Sequence, residues 1–195
     1  MLTLCIDTAY RYLTCVLIKD DEILASYSEE CFKRQSEMVF GALEKIFKEA
    51  GVSKTDIDSI CISEGPGSYT GVRIAMTIAK TIGQIASKKV YKISTLRLYA
   101  SMNEKTMVIM DARANRAYVG IYDKDRIMLD DCIIEIDKIN PEDYDVVLDG
   151  QLIGKAQNDI DIPLAFLKTK GIWEEVENIN HLSPKYLKES DAYYR

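Results

Sequence analysis

The sequence predicts an α/β fold built from one unit used twice, the second time in reduced form. Three observations carry that class. A pattern of strand, aspartate, polar turn, strand, charged hairpin and strand opens the chain at Leu2 and starts again at Met107. Two long segments, 36–50 and 68–87, carry apolar residues at helical spacing and are separated by a short strand. The second copy has only the stretch 138–144, broken by Pro141, where the first has a full helix.

The first copy begins with an apolar strand over 2–6 that ends at Asp7-Thr8-Ala9. A second strand, 12–18, turns at Lys19-Asp20-Asp21 into a third, 23–27. Ser36 is expected to cap helix 36–50, with Glu37 in its first turn and Gly51 as its stop. Met38, Val39, Ala42, Leu43, Ile46, Phe47 and Ala50 mark its broad apolar stripe, and Phe40 falls away from the centre of that stripe. A strand over 57–63 follows. Gly65-Pro66-Gly67 then breaks the alternation, and Ser68 or Thr70 caps the next helix. A short strand, 90–93, leads to Ser94-Thr95, which caps a helix into Ser101.

The helix 68–87 sorts into faces. Arg73, Thr77, Lys80, Thr81 and Gln84 form one narrow polar stripe. Gly71, Ala75, Ala79 and Gly83 recur every fourth residue beside a bulky strip of Ile74, Ile78, Ile82 and Ile85. A strip almost without side chains lets another backbone approach closely. The expectation is a partner helix packed there, from the same chain or another. The glycine turn has two readings. Strand, glycine turn and helix N-terminus make an anion cradle; the spacing is neither the Lys-bearing phosphate loop nor the dinucleotide fingerprint, so a purely structural turn stands beside that reading and is favoured.

Laying Asp111 over Asp7 without a gap places CIDTAYRYLTCVLIKDDEIL over IMDARANRAYVGIYDKDRIM, with Asp125 over Asp21 and Ile127 over Ile23. Later, 145–149 with Gly150 resembles 59–64 with Gly65. Residues 151–157 read as a short helix, 160–163 and 164–169 show no clean period, and Trp173 reads as a packing residue. Ser183-Pro184-Lys185-Tyr186-Leu187 reads as a helix start or an extended clamp. The expected division is a domain over 1–96, with 181–195 packing back on it, and a reduced domain over 97–180. In an actin-like, sugar-kinase-like arrangement of the two copies, the turns at Asp7 and Asp111 face each other across a cleft.

Composition narrows the function classes. The chain has 195 residues, 47% hydrophobic and 29% charged, as an ordinary globular protein does. No apolar run approaches a membrane span, and Met1 leads straight into a strand, so a cytoplasmic protein without membrane contact is expected. Cys5, Cys15, Cys31, Cys61 and Cys132 lack paired ligand spacing and read as reduced, buried thiols. The net charge of −6 argues against independent RNA binding, which needs a basic face.

With those residues in place, the sequence resembles the TsaB (YeaZ) family, small members of the actin-like ATPase superfamily with the ASKHA, ribonuclease H-like fold. The resemblance rests on Ile6-Asp7-Thr8-Ala9, GPGSYTGVRI over 65–74, Ile93-Ser94-Thr95-Leu96, Asp111-Ala112-Arg113 followed by Tyr118, and Pro184-x-Tyr186-Leu187-Lys188, in that order. Gln35-Ser36 stands where the family commonly has a His, and Lys188 where it has an Arg. The resemblance implies a non-catalytic partner of TsaD, the larger paralogue that transfers threonylcarbamoyl to the adenosine beside the anticodon of tRNA. It also implies a TsaE-like ATPase in the same assembly, tRNA contact only through that assembly, and a donor adenylate made by a separate enzyme.

The residues favour a scaffold over an enzyme. Neither the turn after Asp7 nor that after Asp111 contains glycine, which close phosphate approach requires. His181 is the sole histidine and cannot build a metal cluster, and Ser68 and Thr70 lack a histidine base. Asp7, Thr8, Gly65, Gly67, Arg73 and Asp111 remain candidate nucleotide or phosphate contacts, with no cofactor of the chain's own expected and ATP or ADP placed near the partner interface. Asp7 and Asp111 are expected to cap their turns through backbone amides. Val39, Leu43, Ile74, Ala75, Ile78, Ala79 and Ile82 are the candidate interface, which in isolation should form a homodimer. A large side chain at Ala75 or Ala79 is expected to abolish pairing and leave the monomer folded. The alternative is a self-sufficient ATP-dependent phosphotransferase or ATPase using Asp7, Asp111 and the glycine turn.

Overall fold

The two copies are directly visible as two sheets. A computed structural model describes residues 1–31, 34–141 and 143–187. The first lobe contains β1 (Leu2–Asp7), β2 (Tyr12–Lys19), β3 (Glu22–Glu30), α1 (Gln35–Ala50), β4 (Ser59–Ser63), α2 (Tyr69–Ile85) and β5 (Lys89–Ile93). After α3 (Thr95–Ala100), the second contains β6 (Thr106–Asp111), β7 (Arg116–Asp123), β8 (Arg126–Glu135) and β9 (Asp145–Leu148). The short α4 (Ile162–Lys168) and the two-residue β10 (Glu174–Glu175) follow.

The first sheet runs β10-β5-β4-β1-β2-β3 and the second β8-β7-β6-β9. In each, an antiparallel meander is extended by a strand parallel to its first member, β4 beside β1 and β9 beside β6. The overlay of Asp111 on Asp7 places the ends of β6 and β7 on those of β1 and β2. The register differs by one residue: Asp7 pairs with Thr14, whereas Asp111 pairs with Ala117, which overlays Leu13. The second turn is tighter because Arg113, Ala114 and Asn115 all take left-handed backbone angles. Among the described residues the second sheet has no counterpart of β5, and a 3-10 turn (Ile136–Lys138) stands in place of the crossover helix.

α1 and α2 cover one face of the first sheet, burying Leu4, Ile6, Ile60 and Ile62 with Val39, Ile46, Val72 and Ala75. The opposite face joins the lobes: Cys5, Val16 and Ile18 share a core with Val108, Met110, Tyr122 and Phe166. The expected domain boundary at 96/97 falls inside α3, because Leu96, Leu98 and Tyr99 all belong to that shared core and hold the helix together. Leu182 is buried in the first lobe's core, and the remaining expectation for 188–195, including Lys188, lies outside the described residues. Trp173 packs edge-on against Phe166 and donates from its indole to Thr169 Oγ1 at 3.2 Å. Among the described residues no helix is long and apolar enough to cross a membrane.

Three local expectations are corrected. α1 starts at Gln35 after Arg34 without a side-chain cap, so Ser36 lies inside the helix; the Gln35 amide instead turns back to donate to the Tyr10 carbonyl at 3.0 Å. Residues 151–157 form only a 3-10 turn (Gly150–Ile153), and the stretch without a period contains α4, started by an Asp161 cap and Pro163. The small-residue strip of α2 meets the turn after β1 at Gly71, and the side chains of Val90 on β5 and of Ile179 at Gly83, rather than an α-helix. A Cβ added at Gly71 would lie 2.1 Å from the Thr8 carbonyl oxygen, and one at Gly83 would lie 2.7 Å from Val90 Cγ2. The strip is small because the sheet and the turn after β1 press directly on it.

Candidate functional site

The turn after β1 is the hub where both helices and both lobes meet. Asp7 is fully buried: its carboxylate accepts hydrogen bonds from Ala9 N–H at 3.0 Å, the Tyr99 hydroxyl at 2.6 Å and the Ser63 hydroxyl. Burial pushes its pKa up, and the hydrogen bonds from Ser63, Tyr99 and Ala9 pull against that shift. Thr8 Oγ1 donates to the Gly71 carbonyl at 2.6 Å and accepts from Ala75 N–H at 3.3 Å, which pins α2 to the turn.

Three amides of the glycine turn and the helix start are bonded within the chain. Gly65 N–H donates to Thr95 Oγ1 at 3.1 Å, Ser68 N–H to the Ala9 carbonyl at 2.7 Å, and Gly71 N–H to the Ser68 cap at 3.3 Å. A Cβ at Gly67 would lie 2.3 Å from the Ala9 oxygen, so glycine is required there for backbone to meet backbone. Lys185 N–H closes the other side by donating to the Glu64 carbonyl at 2.8 Å. These amides face the protein's own oxygens rather than an anion.

Asp111 is exposed and caps its turn by accepting from Arg113 N–H at 2.7 Å. Its own N–H donates to Asp149 at 2.8 Å. Asp149, buried, also accepts from the Tyr10 hydroxyl and pairs with the Arg11 guanidinium. Burial pushes the Tyr10 pKa up. The two facing turns are therefore bridged by the chain's own side chains. The buried, fully engaged Asp7 and the committed amides do not fit a nucleotide with its magnesium ion.

Tyr10, Arg11 and Asp149 escaped the sequence reading, because no local pattern marks a partner 139 residues away. Of the expected phosphate contacts, Arg73 stands apart from the others, exposed and laid over the Tyr69 ring at 5.4 Å; Tyr69 in turn stacks on Tyr186. His181 is exposed on a 3-10 turn (Ile179–His181).

The candidate interface divides. Val39, Leu43, Ala75 and Ala79 are buried in the first lobe, so these four are core. Ala75 and Ala79 lie too close to the sheet for a larger side chain to reach a partner without displacing it. Ile74, Ile78 and Ile82 are half-buried along the open side of α2, facing a groove shared with α1. Phe40, which the stripe reading set aside, stands 70% exposed over that groove. A large aromatic on the otherwise polar side of α1 is the signal that marks it.

Two lobes with β3-β2-β1-β4 connectivity, joined at their facing turns, define an actin-like fold. The chain belongs to the family described as TsaD, tRNA N6-adenosine threonylcarbamoyltransferase, whose profile matches residues 22–188. It is similar to the tRNA threonylcarbamoyladenosine biosynthesis protein TsaB of Bacillus subtilis, 31% identical over 63% of this chain and 55% of that protein. The TsaB protein of Escherichia coli is 32% identical over 64% of this chain and 56% of its own length. The matched stretch thus spans little more than half of these two relatives. A solved structure from Pseudomonas aeruginosa, described as an uncharacterized protein with similarity to peptidase YEAZ, shares the fold with TM-score 0.81 at 20% identity, over 96% of this chain and 99% of that one.

Proposed function

We propose that the chain is a non-catalytic subunit that docks on a TsaD-like paralogue and supports transfer of threonylcarbamoyl to the adenosine beside the anticodon of tRNA. The observation that carries the non-catalytic part is the filled cleft: Tyr10 and Arg11 reach from the first lobe to Asp149 in the second. Where an actin-like ATPase needs phosphate-facing amides, this chain uses its amides on Ala9, Thr95 and Ser68. The names of the TsaB relatives support the pathway.

The docking face in this reading is the open side of α1 and α2, with Phe40, Ile74, Ile78 and Ile82 as contacts. Without the paralogue the same patch drives self-association. A TsaE-like ATPase joins the assembly, and tRNA is engaged by the complex rather than by this acidic chain alone.

The test is reconstitution. Purified chain is mixed with the TsaD-like paralogue and TsaE-like ATPase of the same organism, and adenosine modification in tRNA is followed with and without it. Modification that requires the chain, together with no ATP turnover by the chain alone, is the expected result. Brisk ATP hydrolysis by the isolated chain, or modification unaffected by its omission, overturns the reading.

A further inference from the structure

Between α1 and α2 runs a trench that is apolar in the middle and cationic at its ends. Its wider part, about 840 Å³, is lined by Leu4, Leu43, Phe47, Ile57, Ile78 and Ile82, with Lys54 and Lys88 at the far end. It continues past Phe40, Thr77 and Ile78 into a part of about 390 Å³ bounded by Tyr69 and Arg73. Glu44, on the α1 rim, is the one carboxylate-bearing residue of that lining.

The charge pattern behind this is unusual for a chain of net charge −6. Residues 65–103 contain no Asp or Glu; their charged side chains are Arg73, Lys80, Lys88, Lys89, Lys92 and Arg97. Lys89 is paired with Glu175, Lys92 with Glu64 and Glu174, and the Arg97 guanidinium donates to the Asp125 carbonyl. Lys54, Lys80 and Lys88 have no ion pair among the described residues. Among the described residues Lys54 and Lys88 thus stand at this greasy surface without a carboxylate partner, with Arg73 at its other end.

We infer that this trench receives an apolar ridge of a protein partner that carries a carboxylate at each end, one set against Lys54 and Lys88 and the other against Arg73. The inference rests on the docking reading above and adds the chemistry of the partner's surface. Along α2, the distance from Arg73 to the neighbourhood of Lys88 is roughly 20 Å at about 1.5 Å per residue, which sets the length of the ridge at about four helical turns. The apolar floor decides for protein over nucleic acid, because a phosphate backbone would satisfy the cations and leave the floor wet. Charge matching of this kind governs approach and orientation and is screened by salt, whereas apolar burial is not.

The experiment uses the full chain and the TsaD-like paralogue of its organism, with the dissociation constant measured by calorimetry from low to high NaCl. The expected result is weakening as salt rises, and at least a tenfold weakening at low salt for Lys54→Glu/Lys88→Glu, with Arg73→Glu acting from the other end. Lys124→Glu, in the second lobe, is the control and should change nothing. If thermal unfolding shows that charge reversal harms the fold, Lys54→Gln/Lys88→Gln replaces it. Pairing that is tight, indifferent to salt and unmoved by these variants overturns the inference and leaves the docking reading standing. Absence of any pairing by the unaltered chain removes both. Loss of transfer RNA binding in the trench variants, with protein pairing intact, also overturns the inference and reassigns the trench to nucleic acid.

Discussion

Asp7 and Asp111 close equivalent turns with the same bond, each carboxylate accepting from the backbone N–H two residues on, Ala9 at 3.0 Å and Arg113 at 2.7 Å. Their surroundings differ completely. Asp7 is sealed beneath α2 and α3 with Ser63 and Tyr99 on its oxygens, whereas Asp111 is exposed. The duplication has kept the turn and reassigned the aspartate.

Burial raises the Asp7 pKa above its ordinary value of 3.8. A carboxyl that holds its proton more tightly when folded makes the native state more stable as pH falls through its folded pKa toward that ordinary value. Asp7→Asn cannot titrate. The stability of the unaltered chain relative to Asp7→Asn should therefore rise as pH falls toward 3.8, read from urea unfolding at each pH. A difference that stays flat with pH contradicts the assignment.

Ala75→Leu should destabilise the chain by about 1–3 kcal/mol, the range for overpacking a closed core. Ala75 is wholly buried, and its N–H donates to Thr8 Oγ1 at 3.3 Å. Gly71→Ala should cost at least as much, because the added carbon meets a carbonyl oxygen that the turn cannot move. Chemical denaturation measures both; an unchanged midpoint for either shows that the turn yields.

Phe40→Ala should change stability by less than about 0.5 kcal/mol, as surface substitutions do, because the ring is 70% exposed. In a pull-down with the TsaD-like paralogue it should reduce capture severalfold. Retained capture by a folded variant places docking elsewhere.

Asp149→Ala leaves the Arg11 guanidinium and the Tyr10 hydroxyl facing each other without their acceptor. Removing one member of a buried pair costs about 3 kcal/mol, which denaturant titration should show. Hydrogen exchange at the Asp111 amide, now without its acceptor, should quicken in the same variant. Unchanged exchange there means that the bridge does not hold the second turn.

Much of the fold was legible because its signals are local. Ser68 caps α2, Ser94 caps α3 and Gly51 ends α1 in the left-handed region, as residue type alone suggested. The Asp7–Asp111 overlay predicted the second meander because strand alternation and hairpin length survive when identities do not. α4 was missed because seven residues, with Ile162, Ala165 and Phe166 turned inward, are too few to show a period. The Asp161 cap with Pro163 was the available sign.

The candidate site was legible only in outline. The stripe of α2 identified which residues are apolar, but an apolar residue carries no mark of what will cover it. Ala75 and Ala79 lie under the sheet, while Phe40, discarded as off-stripe, stands in the open. Asp149 shows no local pattern at all until the second sheet sets it beside Tyr10 and Arg11.

By itself the sequence determined the elements of the first lobe and the second meander, their duplication and the absence of glycine from the two aspartate turns, since each depends on neighbours a few positions apart. Only the tertiary structure decided which glycines serve backbone contact, which apolar residues are interior, and that the cleft is filled from within. Those outcomes depend on distances between segments far apart in the chain, and such distances exist only once both sheets have packed.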